Sequence, residues 1–296
     1  MEWNKELKEC RLCPHQCKVN RLTGQLGRCH CSDKIEIAFV SLHKYEEPCI
    51  SGKNGSGTIF FSHCNLKCCY CQNYKISQMG KGKEITITEL AQIMMRQQEN
   101  KAHNINLVTG TMYVPQIREA IKIAKKQGLS IPIIYNTNAY ERKETIKMLE
   151  GYIDVYLPDM KYYSEKMAVE YSKAPQYFKY ASIAIKEMEK QVGEPKFDQH
   201  GMIQKGVMVR HLVLPNHILN TKHILKWLKK NLKPETYINI MAQYFPTYQA
   251  FQYPKLNRKL TKKEYQQIEN DISILQLENG YMQELGKHEE EYVPNF

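Results

Sequence analysis

The sequence lacks any apolar run long enough to cross a bilayer, and its amino terminus lacks the apolar segment of a secretory signal. It has 296 residues, of which 42% are hydrophobic, and a mean hydropathy of -0.57, which is typical of a globular protein. We therefore expect a cytoplasmic protein that has no membrane segment.

Cysteine is absent after residue 71, so all ten cysteines lie in the first quarter of the chain. In a protein that is not secreted, such a concentration of thiols favours metal binding over disulfides. Any metal chemistry of this protein is therefore expected near its amino terminus.

The sequence also lacks an arginine-rich block and any RNA-binding signature. Its net charge of +11 is spread over amphipathic stretches such as 122–126 and 226–233, which is typical of solvated helix faces. The glycine-rich segment 52–58 lacks the Gly-Lys-Ser/Thr order of a phosphate-binding loop and is interpreted as a turn before a strand. The charge is equally compatible with an acidic or protein partner, and nucleic acid is not the expected partner.

From residue 58 onward, short apolar runs rich in β-branched and aromatic residues alternate with helical patterns. The six predicted strands are 58–62, 105–109, 131–136, 153–157, 207–214 and 237–243. The predicted helices between them are 86–99, 114–126, 142–149 and 217–232. Repeated β-α units require parallel strands with right-handed crossovers. The predicted fold class is therefore α/β, a partial (β/α)6 TIM-like barrel, because eight units need about 250 residues.

The chain is predicted to have three segments. They are a cysteine-rich N-terminal extension (1–57), the partial barrel (58–250) and a helical C-terminal tail (251–296). Within the barrel, 162–200 is long for one crossover and is interpreted as a helical insert packed by aromatic residues. In the tail, 262–275 is amphipathic and the acidic run 289–291 is expected to be solvated.

Three cysteines, Cys64, Cys68 and Cys71, follow the first predicted strand with spacings x3 and x2. Three thiolates at this spacing can hold three irons of a [4Fe-4S] cube and leave the fourth iron open to a substrate. A zinc site with His63 as the fourth ligand is the alternative. Tyr70 favours the cluster, because an aromatic ring at this position can stack on an adenine.

A second group of cysteines precedes the barrel. It consists of Cys10, Cys13, Cys17 and Cys29, with glycine turns between the pairs. Four thiolates saturate either a structural zinc or a second [4Fe-4S] cluster, and the sequence allows both. Cys31 is a competing fourth ligand, Cys49 has no expected partner, and Cys69 is interpreted as a packing residue.

The order Cys64-x3-Cys68-x2-Cys71, directly after the first strand of a β-α series, resembles the radical S-adenosylmethionine (SAM) superfamily. The surrounding run 55–73 is similar to the PflX-like branch, which is related to pyruvate formate-lyase activating enzymes. Three later segments, 107–116, 156–162 and 209–215, are similar to that branch in order and spacing, so the resemblance covers nearly the whole chain.

The resemblance implies that Cys64, Cys68 and Cys71 bind the cluster while SAM occupies the open iron. One electron then cleaves the sulfonium C–S bond, and the resulting 5'-deoxyadenosyl radical abstracts a substrate hydrogen. The implied partners are an electron donor such as flavodoxin or ferredoxin, and a glycyl-radical enzyme as the substrate. The alternatives are radical modification of a small metabolite or another macromolecule, and a metal-binding protein without catalysis.

Active sites of such barrels lie at the carboxyl ends of the strands. The candidates for SAM contacts are Tyr70, Thr109, Asn136, Asn138, Asp159, Lys161, Arg210, Met241 and Gln243. Related activases carry a glutamate after the second strand, where this chain has Thr109-Gly110-Thr111 instead. The alternatives are a salt link for Asp159 and Lys161, a carboxylate partner for Arg210, and core packing for Met241. Arg210 and His211 are expected to face opposite sides of their strand.

Overall fold

Ten strands and ten α-helices form residues 2–285, the part of the chain that the computed structural model describes. The strands are β1 (Ile35–His43), β2 (Ser56–Phe61), β3 (Lys83–Ile85), β4 (Ile105–Val108), β5 (Ile133–Thr137), β6 (Val155–Pro158), β7 (Lys196–Phe197), β8 (Ile203–Leu212), β9 (Tyr237–Met241) and β10 (Gly280–Met282). The helices are α1 (Lys5–Lys8), α2 (Pro48–Ser51), α3 (Tyr74–Ser77), α4 (Ile87–Glu99), α5 (Val114–Lys126), α6 (Lys143–Lys147), α7 (Glu165–Ser172), α8 (Tyr177–Val192), α9 (Ile218–Asn231) and α10 (Lys262–Ile274). The acidic run 289–291 lies outside the described residues.

Six strands, β2, β4, β5, β6, β8 and β9, lie side by side in chain order and run parallel. Helices connect each of them to the next, as parallel neighbours require. All six strands predicted from the sequence are present. The predicted partial (β/α)6 barrel is therefore confirmed.

The sheet extends beyond these six strands at both edges. β1 pairs antiparallel with β2, β3 pairs antiparallel with β1, and β10 pairs parallel with β9, while β7 pairs with β8. β1 and β10 come from the predicted extension and tail, so the sheet crosses both predicted boundaries; the division into three segments stays a prediction. Neither β1 nor β10 is predicted from the sequence, because β1 lies in a segment interpreted through its cysteines and β10 has only three residues.

Helix ends follow local capping chemistry. The hydroxyl of Thr86 accepts the N–H of Glu89, whose carboxylate accepts the N–H of Thr86 at the start of α4. The predicted helix 142–149 is shorter in the structure, because the N–H of Leu149 bonds to the carbonyl of Ile146 and tightens the last turn. The predicted insert consists of α7 and α8, and the tail contains α10. Among the described residues, no helix is both long enough and apolar enough to span a membrane.

Side chains alternate between two faces of the barrel strands. The outward face packs under the helices in the main core, as Tyr156 does. The inward face forms a smaller cluster of Cys49, Ile50, Ile134, Val155, Leu157, Ile203 and Met208. Cys49 and Ile50 belong to α2, which follows the end of β1. Because His43 of β1 pairs with Ser56, the first residue of β2, α2 closes the amino end of the barrel.

Candidate active site

The loop after β2 carries the three predicted cluster ligands. Cys64, Cys68 and Cys71 line one cavity of about 450 Å³ beyond the carboxyl end of β2. The loop backbone is fixed by the insert, since the N–H of Cys69 donates to the carbonyl of Tyr171 in α7 at 2.8 Å. Cys69 itself is buried and does not line the cavity.

Each of the three sulfur atoms has a side-chain hydrogen-bond partner. The partners are Asn138 for Cys64 (3.4 Å), Ser172 for Cys68 (2.9 Å) and Ser77 for Cys71 (3.1 Å). Hydrogen bonds to the sulfur of a metal ligand stabilise thiolate charge and help to set the reduction potential of a cluster. The surroundings of all three sulfur atoms therefore suit thiolates that act as metal ligands.

The three thiols are crowded and withdrawn from water. Burial, with the charges of Cys68 and Cys71, raises the pKa of Cys64 to about 12. Burial also raises the pKa of Cys68 to about 11, although the ammonium of Lys161 opposes this. Such thiols keep their protons until a metal replaces them. This set of three donors fits a [4Fe-4S] cluster that takes three thiolate ligands.

His63, the fourth ligand of the zinc alternative, is engaged elsewhere. Its Nε2 lies 3.2 Å from both carboxylate oxygens of Glu36 on β1. Within residues 2–285, neither cysteine group has three side chains already arranged around a single metal ion, so this observation does not distinguish zinc from a cluster at either group. The position of His63 therefore gives the zinc alternative no support.

All nine residues predicted to contact SAM line the same cavity. They are Tyr70, Thr109, Asn136, Asn138, Asp159, Lys161, Arg210, Met241 and Gln243. Thr109, which follows β4, has a φ of 60°, a left-handed conformation that is unfavourable for a β-branched residue. Its N–H donates to the carbonyl of Asn136 at 2.8 Å, which joins the ends of β4 and β5. The strain is thus located where the predicted contacts converge.

Asp159 and Lys161 form a salt link after β6. Lys161 Nζ lies 2.6 Å from Asp159 Oδ2, and their side chains are 15% and 20% exposed. Burial alone would lower the pKa of Lys161, but the carboxylate of Asp159 and the sulfur of Cys68 outweigh burial and raise it. The salt link anticipated as the alternative is present, and it places a cation beside the cysteines.

Arg210 faces the inside of the barrel, whereas His211 faces outward, where its Nε2 lies 2.9 Å from Thr221 Oγ1. Arg210 Nε donates to Glu47 at 2.7 Å, and its Nη2 contacts both Glu46 and Glu47. The carboxylate pairing anticipated for Arg210 is therefore present. The carboxylates of Glu46 and Glu47 outnumber the single guanidinium of Arg210, so the part of the cavity beside Arg210 carries a net negative charge.

Three residues near Arg210, namely Glu46, Glu47 and Asn239, line the cavity and are not predicted from the sequence. The amide of Asn239 donates to Glu47, and its Oδ1 has no partner among the described residues. Alternation along β9 could have revealed Asn239, because it shares the inward face with Met241. No sequence signal links Glu46 or Glu47 to the cavity, since both residues reach it only through the turn before α2.

Tyr70 forms part of the cavity wall through its own contacts. Its hydroxyl lies 2.5 Å from that of Tyr162, and its ring meets Tyr244 edge-on with centroids 5.9 Å apart. Among the other residues that line the cavity, Gln243 Nε2 lies 3.9 Å from Met241 Sδ. Stacking of Tyr70 on an adenine stays a prediction.

A buried glutamate lies between the ends of β4 and β5. Glu141 Oε1 accepts hydroxyl hydrogen bonds from Thr111, Tyr135 and Thr137 at 2.7, 3.1 and 2.6 Å. Its Oε2 has no partner among the described residues. Burial raises the pKa of Glu141 to about 7, although the three hydroxyls oppose this. Sequence reasoning missed this residue, because a glutamate after a strand is ordinarily exposed.

The four cysteines of the N-terminal group also lie close together around one cavity. Cys10, Cys13, Cys17 and Cys29 line a small cavity of about 20 Å³. The N–H of Arg28 donates to Cys17 Sγ at 3.3 Å, which is a typical contact for a charged sulfur ligand. A hydrogen bond from Cys31 lowers the pKa of Cys29 to about 6, although burial opposes this.

Cys49 lies apart, in the cluster at the amino end of the barrel. None of the ten cysteines forms a disulfide among the described residues.

The structure combines an open parallel barrel with three cysteines, Cys64, Cys68 and Cys71, that follow its first parallel strand, β2. Known proteins resemble this chain in both sequence and fold. The sequence matches the Radical SAM superfamily over residues 58–191. An uncharacterized protein of Methanocaldococcus jannaschii is 33% identical over 286 residues, which cover 92% of this chain and 75% of that protein. The chain belongs to the radical SAM superfamily.

Solved structures support the fold. SuiB of Streptococcus suis, bound to the precursor peptide SuiA, aligns with a TM-score of 0.52 and 14% identity, and the alignment covers 75% of this chain and 47% of SuiB. A variant of spore photoproduct lyase aligns with a TM-score of 0.54 and 11% identity, over 83% of this chain and 80% of the lyase. At these identities the likeness concerns the fold alone.

Proposed function

We propose that this protein binds a [4Fe-4S] cluster through Cys64, Cys68 and Cys71 and uses it to cleave SAM reductively. The observation that carries the proposal is that these thiols face the cavity that all nine candidate SAM residues line. When bound, the cluster supplies one electron to the sulfonium, which releases methionine and a 5'-deoxyadenosyl radical.

The side chains around the cavity have distinct roles in this proposal. Lys161 holds a positive charge near Cys68 and Cys71, where added negative charge is stabilised. Thr109 and Asn136 offer oxygen atoms at the strand ends that accept hydrogen bonds from an ammonium group such as the methionyl amine. The closed amino end of the barrel keeps water and stray hydrogen donors away from the radical.

The substrate is the finer part of the proposal. Following the sequence resemblance, we infer that the protein activates a glycyl-radical enzyme by abstracting hydrogen from a glycine, with flavodoxin or ferredoxin as the electron donor. The chain spans about half of SuiB, which was solved with a peptide, so that protein's substrate does not transfer with the fold. Modification of a small metabolite or of another macromolecule is the second candidate. The negative charge from Glu46 and Glu47 favours a substrate group that carries hydrogen-bond donors.

Anaerobic reconstitution tests the proposed chemistry. The protein should bind about four irons at the first site, and SAM should alter the electron paramagnetic resonance (EPR) signal of the reduced cluster. Addition of a reductant should then yield 5'-deoxyadenosine, measured by chromatography. A fully loaded protein that forms no 5'-deoxyadenosine would contradict SAM cleavage, whereas a glycyl-radical EPR signal in a co-incubated enzyme would support activation.

We further propose that Cys10, Cys13, Cys17 and Cys29 bind a structural zinc or a second [4Fe-4S] cluster. Four thiolates leave no open coordination position, so this site is not expected to cleave SAM. A metal here would fix a segment that has little core of its own.

A further inference from the structure

A chain of buried hydroxyl groups leads from the cavity wall to one of the three cysteines. Tyr70 Oη lies 2.5 Å from Tyr162 Oη, which lies 2.6 Å from Ser172 Oγ. Ser172 Oγ in turn lies 2.9 Å from Cys68 Sγ. Tyr162 and Ser172 are fully buried and Tyr70 is 6% exposed, so water does not compete for these bonds.

The direction of the protons follows from the inventory of donors. The hydroxyl of Ser172 has a single hydrogen, which it donates to Cys68 Sγ. Ser172 Oγ can then only accept from Tyr162, and Tyr162 Oη can only accept from Tyr70. All three hydroxyl dipoles therefore point toward the sulfur. Hydrogen bonds aligned in this way polarise and strengthen one another in a low dielectric.

The fold holds this chain in place from two elements. Ser172 is the last residue of α7, and its carbonyl accepts the N–H of Lys67 in the cysteine loop at 3.0 Å. The next helix also contributes, since the ring of Tyr177 packs edge-on against Tyr162 with centroids 5.3 Å apart. Because both the backbone and the hydroxyl of Ser172 engage this loop, the distance to Cys68 is fixed by the fold.

We propose that Ser172, oriented by Tyr162 and Tyr70, is a positioning residue that raises the reduction potential of the cluster; this inference rests on the proposed cluster site. A reduced cluster carries more negative charge on its sulfur ligands than an oxidised one. A hydroxyl donor at Cys68 therefore stabilises the reduced state more than the oxidised state. The chain also connects Cys68 to Tyr70, a residue of the cavity wall.

The test is a potentiometric titration of the reconstituted protein, followed by EPR. Ser172→Ala should bind the same amount of iron. Its ratio of reduced to oxidised cluster at a fixed applied potential should fall about tenfold, because a hydrogen bond to a charged group is lost. Tyr162→Phe keeps Ser172 but removes its proton donor, so it should shift the ratio in the same direction by less. Ser182→Ala is the matched control, since among the described residues the Ser182 hydroxyl donates to the carbonyl of Lys179 within α8 and to no other group.

Each outcome decides the matter. A Ser172→Ala protein with a full cluster and an unchanged ratio would overturn the role of Ser172, and so would an equal shift in Ser182→Ala. If Ser172→Ala did not load its cluster, an unchanged ratio in Tyr162→Phe would overturn it. A wild-type protein that binds no cluster at Cys64, Cys68 and Cys71 would instead overturn the proposed function, and this inference with it.

Discussion

Lys161 Nζ lies 2.6 Å from Asp159 Oδ2 at the carboxyl end of β6, on the wall of the cavity that holds the three cysteines. An exposed salt link of this kind contributes little to stability. This one is mostly withdrawn from water, so its two charges act strongly on any group that binds within a few ångströms. The pair is therefore better placed to organise a ligand than to stabilise the fold.

Replacing Asp159 by Asn should weaken SAM binding about tenfold, because Lys161 loses its charged partner. Iron content should stay near normal, since neither residue is a predicted cluster ligand. Calorimetric titration of reconstituted protein measures the affinity. Asp198→Asn, at an exposed turn, is the control and should bind SAM as the wild type does. Unchanged affinity and turnover in Asp159→Asn would leave the pair as a structural salt link.

Alanine at Cys64, Cys68 or Cys71 should abolish 5'-deoxyadenosine formation, because each removes one of only three predicted ligands of the cluster. Cys69→Ala is a control within the same loop, and it should retain the product, since Cys69 does not line the cavity. Product quantification and iron analysis check both. A Cys69 variant as inactive as the others would show that the ligand assignment is wrong.

Glu141 should make stability depend on pH. Its folded pKa of about 7 lies above the ordinary value of 4.5, so the folded state keeps a proton that the unfolded state loses. The free energy of unfolding should therefore fall as pH rises from about 4.5 to about 7, by roughly 3 kcal/mol. Glu141→Gln does not titrate and should lack this dependence. Denaturant titrations at pH 5 and pH 8 compare the two proteins, and identical pH profiles would refute the prediction.

Arg210→Met should destabilise the fold by about 3–5 kcal/mol, because Glu46 and Glu47 would be left buried without their cation. Adding Glu46→Gln and Glu47→Gln to this variant should recover much of the loss. Chemical denaturation measures both steps. A stable Arg210→Met protein that has lost only SAM affinity would assign Arg210 to ligand binding instead.

Metal analysis of a protein with Ala at positions 64, 68 and 71 isolates the N-terminal cysteine group. One zinc per chain would indicate a structural ion, and about four irons with the absorption of a cube would indicate a second cluster. Recovery of neither metal in a folded protein would show that Cys10, Cys13, Cys17 and Cys29 are not a metal site.

Two sequence patterns account for what could be predicted of the fold. Short apolar runs rich in β-branched and aromatic residues predict the six parallel strands, and period-two alternation assigns Arg210 and His211 to opposite faces, as the structure has them. The cysteine motif and the strand ends predict which side chains line the cavity. Glu47 and Ser172 could not be found this way, because their positions depend on tertiary contacts made by α2 and α7. A periodic sequence pattern reveals only residues within a strand or helix that face one side. Neither Glu47 nor Ser172 belongs to such a pattern on the side of the cavity.

Helix α2, which contains Cys49 and Ile50, closes the amino end of the barrel, and this closure affects how fast products can leave. Among the described residues, packed side chains fill this end of the barrel, so access to the cavity is expected from the carboxyl ends of the strands. In the proposed reaction, methionine and 5'-deoxyadenosine then leave by the same route through which the next SAM arrives. A cavity that still holds product cannot bind SAM, so accumulating products should slow turnover by product inhibition.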